Sequence, residues 1–284
     1  MGKVIINDQI TERSEAVIDI EDRGYQFGDG VYEVIRIYDG SLFTAEEHLN
    51  RFYQSAEKIK MIVPFDKKQL RALVEQLVKE NQVKDGSLYM QLTRGASPRN
   101  HVFPGEEIQP VLTAYTKEVP RPEEAMANGV KAIVVDDIRW LRCDIKSLNL
   151  LPNILAKQEA SEQGCFEAIQ HRNGLVTEGS SSNAYIIKDG KIQTHPATNL
   201  ILNGITRQVI AKLCAENDIP FSEEPFHIDD LFNADEVFIS STTSEVMPVI
   251  QIDEQVIGDG KPGRITSQLQ SLFVAKIESD KHNK

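Results

Sequence analysis

Cysteine is scarce in this sequence: Cys143, Cys165 and Cys214 are the only three among 284 residues. The number is odd, no two lie close together, and no CxxC occurs. That argues against a disulfide framework and a cysteine-based zinc site, and fits reduced thiols in a cytoplasmic protein. Long apolar runs are also missing, so no segment is expected to span a bilayer. The opening residues MGKVIINDQI lack a signal-peptide core and read as a short strand entering a turn. Ile6 stands where a myristoylation motif needs Ser or Thr. Positive charge is not in excess. The net charge of −12 disfavours nucleic acid and anionic membranes as partners, because both are held by basic patches. There is no long repeat and no low-complexity tract. Several catalytic signatures are absent: the nucleotide loop GxxxxGKS/T, the serine-hydrolase elbow GxSxG, and HExxH or any close pair among the six histidines. The spaced glycines of RGYQFGDGVYE precede a strand rather than a helix, so they do not make a dinucleotide fingerprint. No metal site is expected.

What remains is a globular composition, 40% hydrophobic and 26% charged, long enough for one large domain or two ordinary ones. Val31 to Tyr38 (VYEVIRIY) alternates as a half-buried strand does; Asp39-Gly40 turns it, and SLFT returns. Helical spacing runs from Glu46 to Lys60, with Leu49, Phe52, Tyr53, Ala56 and Ile59 on one face and Thr44 as N-cap. A second helix covers Lys67 to Glu80, and SLYMQLTRG and PVLTAYTKE read as strands. KEVPRPEEAM, with two prolines among charges, reads as a linker. It divides an N-terminal α/β domain, residues 1–118, from a C-terminal domain, residues 119–284. Beyond it, VKAIVVDDI, FEAIQHRNG, LVTEG, NAYIIKDG and KIQTH are short strands with Asn173-Gly174 and Asp189-Gly190 as hairpin signals. A helix from Ile205 to Glu216 opens at Gly204. A strand, EVFIS, runs into SSTTSE. A last helix covers Arg264 to Ile277, ahead of a charged tail, ESDKHNK, expected to fray. The class is α+β, two domains, with mostly antiparallel strands.

One lysine has an unusual setting. Lys146 lies in RCDIKSLN between a strand and a helix, with Arg139 and Arg142 just before it. A free lysine amine, pKa about 10.4, is protonated at neutral pH; desolvation and nearby cations favour the neutral form. Only that form attacks a carbonyl to make a Schiff base. An aldehyde cofactor such as pyridoxal phosphate presents two further handles. Its ring nitrogen, an electron sink when protonated, wants a carboxylate, and Glu178 in LVTEGSSSN sits at a strand end before a small-residue run. Its phosphate wants hydroxyls, an arginine and the N–H groups of a helix start. NGITRQVIAK offers Gly204, Ile205 and Thr206; FISSTTSEV offers Ser241, Thr242 and Thr243; Arg51 could add a guanidinium.

Five blocks, RGYQFGDGVYEVIR, DIKSLNLLPNILAKQEA, TEGSSSNAY, NGITR and ISSTTSEVMPV, resemble the signatures of fold-type IV pyridoxal-phosphate enzymes. That group contains D-amino acid aminotransferases, branched-chain aminotransferases and aminodeoxychorismate lyases. The loop TRGASPRNHVFP is most similar to the substrate-carboxylate trap of the D-amino acid aminotransferases. The resemblance implies a two-domain fold with a small N-terminal and a larger, strand-rich C-terminal domain. It implies Lys146 as Schiff-base lysine, Glu178 at the pyridine nitrogen, and Arg51, Ile205, Thr206 and Thr242 at the phosphate. Ser181, Ser182 and Leu202 would line the ring, and Ser241 flanks Thr242. Tyr32, Arg99 and His101 would bind the substrate carboxylate, in a homodimer whose loops complete each other's sites. The implied reaction moves the amino group of D-alanine to 2-oxoglutarate, giving pyruvate and D-glutamate. The alternatives are the lyase, the branched-chain L-transaminase and a silent protein retaining the fold.

Overall fold

The alternation in VYEVIRIY is realised as an interior strand of a sheet, next to its edge, in a computed structural model that describes residues 2–282. The chain forms two units, residues 1–120 with 145–149, and residues 121–144 with 150–284.

In the first unit, β1 (Lys3–Ile6), β2 (Gln9–Glu12), β3 (Gly30–Tyr38), β4 (Ser41–Leu42), β5 (Gly86–Thr93) and β6 (Val111–Glu118) make an antiparallel sheet in the order β2-β1-β6-β5-β3-β4. Its helices are α1 (Arg23–Phe27), α2 (Ala45–Lys58) and α3 (Lys67–Glu80). Register puts Val31, Ile35 and Ile37 on the face of Leu88, Leu92 and Leu112, and these join Leu49, Phe52, Leu70 and Leu77 in one core. Each such side chain, fully buried, contributes about 1.5–3 kcal/mol. Helix α3 has the predicted bounds, and its start is a capping box between Asp66 and Gln69. Thr44 does not cap α2 as expected. It lies in the left-handed region at φ +50, and its hydroxyl donates to the Phe43 carbonyl at 2.8 Å. Glu46 and Glu47 in the first turn complement the helix dipole instead.

The second unit holds α4 (Glu123–Asn128), β7 (Val130–Asp136), α5 (Leu151–Glu162), β8 (Glu167–Arg172), β9 (Leu175–Gly179), β10 (Asn183–Lys188), β11 (Lys191–Thr194), α6 (Ile205–Glu216), β12 (Phe221–Glu223), α7 (Ile228–Phe232), β13 (Glu236–Ser241), β14 (Glu245–Ile252), β15 (Gln255–Val256) and α8 (Arg264–His282). The sheet runs β12-β11-β10-β13-β14-β7-β8-β9, with β15 on β14. The pairs β11–β12, β14–β7 and β7–β8 are parallel, and the rest are antiparallel. The stretch read as a linker contains α4: Pro122 stands at its N-cap, two glutamates fill its first turn, and Met126 is buried. Gln270 docks α8, donating to the carbonyls of Met126 at 2.9 Å and Val246 at 3.0 Å. Of the tail expected to fray, helix α8 runs on through His282, while Asn283 and Lys284 lie outside the described residues. Among the described residues, no helix is long and apolar enough to cross a membrane.

Candidate active site

The candidate residues fall into two sets, one in each unit. Lys146 belongs to the first, because its segment pairs with β3. Ser147 bridges Val31, and the Tyr32 N–H donates to the Lys146 carbonyl at 3.0 Å. The Lys146 N–H points to the Ser55 hydroxyl of α2 at 3.3 Å. These bonds place the Nζ of half-buried Lys146 4.3 Å from the centre of the Tyr32 ring. Tyr32 stacks on Tyr89 at 5.7 Å, which fixes the ring against β5. The cations near Lys146 in sequence are each matched by a carboxylate in the second unit: exposed Arg142 holds Asp144, and buried Arg139 holds Asp137 and Glu178.

On the opposite face of β3, Glu33 is fully buried and accepts from Arg51 through two guanidinium nitrogens, at 2.7 and 2.8 Å. His48 Nδ1 lies 2.7 Å from the same carboxylate. Burial alone would raise the Glu33 pKa, but Arg51 and His48 outweigh it and bring it down to about 2. Burial lowers the pKa of His48, so the neutral ring donates through Nδ1. Arg51 is thus a forked guanidinium fixed at its base by Glu33.

Arg99 and His101 lie on the exposed loop after β5 and gather on Phe27. The Arg99 guanidinium sits 4.4 Å from the ring centre, and the imidazole centroid is 5.5 Å from it. In one chain, therefore, Tyr32 is held beside Lys146 while Arg99 and His101 are held by α1. A cavity of about 440 Å³ opens on the Tyr32 face of the sheet, among Tyr25, Tyr89, Gln91, Thr113 and Tyr115, and no candidate residue lines it.

In the second unit, Glu178 is the penultimate residue of β9, with its side chain buried. Its oxygens accept from Arg139 Nη1 at 2.5 Å, Asn183 Nδ2 at 3.0 Å and the Leu202 N–H at 3.1 Å. Arg139 is shared. Asp137 takes its Nε and Nη2 at 2.9 and 2.8 Å and also receives Arg172 at 3.0 Å. Burial opposes the charge on Asp137, but these guanidinium bonds hold its carboxyl below the usual range. Glu178 is left with the weaker share. Burial pushes it up to about 7, although Arg139 and the Leu202 N–H pull the other way. A buried carboxylate on the edge of ionisation is one that a cation placed beside it will charge.

The serine run after Glu178 is organised by another buried acid that sequence reasoning missed. Glu167 accepts from the hydroxyls of Ser180, Ser181 at 2.9 Å and Ser182 at 2.8 Å. The Asn183 amide, besides reaching Glu178, donates to the Leu202 carbonyl at 2.9 Å. Glu178 and Leu202 are thereby joined through Asn183, and Ser181 and Ser182 are joined through Glu167. Helix α6 begins soon after Leu202. Gly204 is its N-cap and supplies no side chain to the free N–H groups, and a Cβ there would overlap the Asn183 side-chain oxygen. Ile205 and Thr206, both buried, form the first turn. Ser241 and Thr242 are half-buried at the end of β13, and the Ser241 hydroxyl accepts the Ser244 N–H at 3.1 Å. Within the second unit, an uncapped helix start and nearby hydroxyls are donors a phosphate monoester takes, and Glu178 suits a cationic ring nitrogen. The residues present fit pyridoxal phosphate. Among the described residues, no group of three or more His, Cys, Asp or Glu could hold a metal ion.

Comparison with known proteins matches residues 30–252 to the family model described as amino-transferase class IV. The D-alanine aminotransferase of Listeria innocua is 55% identical over 277 residues, 97% of this chain and 96% of that protein. The D-alanine aminotransferase of Bacillus licheniformis is 54% identical, over 98% of each chain. Among solved structures, the branched-chain amino acid aminotransferase of Escherichia coli superposes with a TM-score of 0.91 at 26% identity, covering 96% of this chain and 94% of that one. A hypothetical aminotransferase from Mycobacterium tuberculosis, in a PLP-bound form, gives 0.87 at 25% identity, covering 98% of this chain and 100% of that one. The chain belongs to the class IV aminotransferases, and its fold is that of the fold-type IV enzymes.

Proposed function

We propose that this chain is a pyridoxal-phosphate-dependent transaminase of D-amino acids, moving the amino group of D-alanine to 2-oxoglutarate to give pyruvate and D-glutamate. The observation that carries the reading is identity above one half, along almost the whole chain, to D-alanine aminotransferases. The branched-chain enzymes share the fold at half that identity, so they speak for architecture rather than substrate.

When bound, the cofactor supplies an aldehyde for the amino group and a ring that draws electrons from the substrate Cα. The chain supplies the rest. Lys146 would hold the cofactor through its amine, and that amine would move the proton at the substrate Cα. Its place beside Tyr32, pinned by backbone bonds on both sides, supports that role. Glu178, fixed by three donors, keeps a proton on the ring nitrogen. Ile205 and Thr206 at the start of α6, with Ser241, Thr242 and Arg51, hold the phosphate; Ser181, Ser182 and Leu202 line the ring. Arg99, His101 and Tyr32 bind the substrate carboxylate, and the side of Cα facing Lys146 follows from where that carboxylate is held.

We take the enzyme to be a cytoplasmic homodimer. Val17, Ile18, Ile20, Tyr25, Val102 and Phe103 are large, exposed apolar side chains in the first unit, a surface that a second copy would cover. The N-terminal domain up to residue 118 and the domain from 119 on are taken as its two parts, with the lysine segment 145–149 packed on the first.

The test is incubation with racemic amino acids and 2-oxoglutarate. Consumption of D-alanine with release of pyruvate and D-glutamate is expected; consumption of L-leucine instead would overturn the reading. Borohydride reduction followed by peptide mapping should place the pyridoxyl group on Lys146. Lys146→Ala should lose that adduct and at least about a thousandfold in turnover.

A further inference from the structure

Phe27 is the last residue of α1, a five-residue helix fixed at both ends. Asp22 caps it, accepting the Gly24 N–H at 2.7 Å, and Gly28 ends it in the left-handed region at φ +67. Directly after it, one oxygen of Asp29 accepts from Arg23 Nε and Arg94 Nε, both at 2.8 Å. Arg94 reaches on to the Ile59 carbonyl at 2.8 Å. The backbone of Phe27 is therefore held by ion pairs in which both arginines are buried.

Its ring lies outside the core of the unit, half-buried, and meets cations. Arg23 Cζ lies 4.8 Å from the ring centre and Arg99 Cζ 4.4 Å. The loop bearing Arg99 is tied to the same frame. Arg23 Nη1 donates to the Asn100 carbonyl at 2.5 Å, and the Arg94 guanidinium lies 3.7 Å from the ring centre of Phe103. Among the described residues, Arg99 makes no hydrogen bond and no ion pair; the Phe27 ring is what it touches. A guanidinium laid over a ring loses rotamer freedom while its N–H donors stay open at the edge. That is the state required of an arginine that must receive a carboxylate in a two-bond fork.

We infer that Phe27 is a positioning residue for substrate binding, an aromatic platform that presents the Arg99 guanidinium to the substrate carboxylate. The inference rests on the proposed role of Arg99. Every substrate of either half-reaction carries that carboxylate, so the effect must appear in all of them.

The experiment is a double-mutant cycle on the cofactor-loaded enzyme, reading KM and kcat for D-alanine and for 2-oxoglutarate. Phe27→Leu should raise KM for both about two- to fivefold, the loss expected of one exposed cation–π contact, with kcat changing less. Phe27→Tyr, which keeps the ring, should restore the wild-type KM. In an Arg99→Ala background, Phe27→Leu should raise KM by less than it does alone, the remainder passing through His101 on the same ring. An equal rise in KM in that background would overturn the platform, as would an unchanged KM in Phe27→Leu beside a raised one in Arg99→Ala. An unchanged KM in Arg99→Ala alone would instead overturn the carboxylate role of Arg99, and the inference with it.

Discussion

Asn183 joins Glu178 to the Leu202 segment: one side-chain amide nitrogen donates to the carboxylate at 3.0 Å and to the Leu202 carbonyl at 2.9 Å. The N–H of Leu202 returns to the same carboxylate at 3.1 Å. The acid proposed for the ring nitrogen and the approach to the helix proposed for the phosphate are thus set by one side chain. Disturbing Asn183 should loosen both handles at once.

Gly204→Ala makes that disturbance while leaving the identity of residue 183 unchanged. Gly204 has φ −60, which alanine adopts freely, so backbone strain is not at issue. The new methyl would overlap the Asn183 side-chain oxygen and push it off its partners. Overpacking of this kind costs about 1–3 kcal/mol, or roughly ten- to a hundredfold. Cofactor affinity, measured by titrating the cofactor-free protein, should fall by that order, and Asn183→Ala should reproduce much of the loss.

The raised pKa of Glu178 gives a pH signature. Folded, the group holds its proton up to about 7, whereas the ordinary value is 4.5. Its contribution to stability is complete below 4.5 and is lost as pH rises through 7, a change of about 3 kcal/mol for a fully buried group. Cofactor-free protein should therefore lose melting temperature between pH 5 and 7.5 by more than Glu178→Gln does. Loading the cofactor should suppress the difference, because a cationic ring nitrogen keeps the carboxylate charged at both pH values. Equal pH slopes in wild type and variant, without cofactor, would show that Glu178 ionises normally.

Much of this architecture was legible where local chemistry and tertiary packing agree. Lys67–Glu80 and Ile205–Glu216 have the bounds their apolar spacing predicts, and β3 is one residue longer than its alternation. Legibility fails where one residue type misleads. Pro120 and Pro122 read as a linker, yet proline suits the start of a helix, and α4 begins right after Pro122. Strand β14 carries Pro248, which blurs its strand pattern; its pairing with β7 begins only at Val249, one residue past the proline. Thr44 has a capping side chain but the wrong backbone conformation. At the site, single residues carrying a reactive group stood out, and their supports did not. Arg139, read as a cation near Lys146, is the hinge of a carboxylate cluster that only folding assembles. Glu167 and Asn183 give no local signal. Glu33 did give one: it shares parity with Val31, Ile35 and Ile37, and a glutamate on a core-facing stripe needs buried partners.

Those partners are His48 and Arg51, and the cluster they form with Glu33 should behave as a unit. With Glu33→Leu, two basic side chains of α2 lose their shared acceptor in the core. Removing one member of a buried charge cluster costs about 3–5 kcal/mol, so a clear fall in melting temperature is expected. The pH sign is opposite to that of Glu178. A carboxylate whose pKa drops from 4.5 to about 2 on folding stabilises above 4.5, and that stabilisation is lost as pH falls toward 2. Wild-type protein should accordingly lose stability between pH 4.5 and 2 more steeply than the variant, which starts lower. Arg51 in the variant, no longer forked on Glu33, should also bind phosphate less tightly. A variant that melts like the wild type at pH 7 would mean that Arg51 and His48 find other acceptors, and the buried carboxylate would then have no part in holding Arg51.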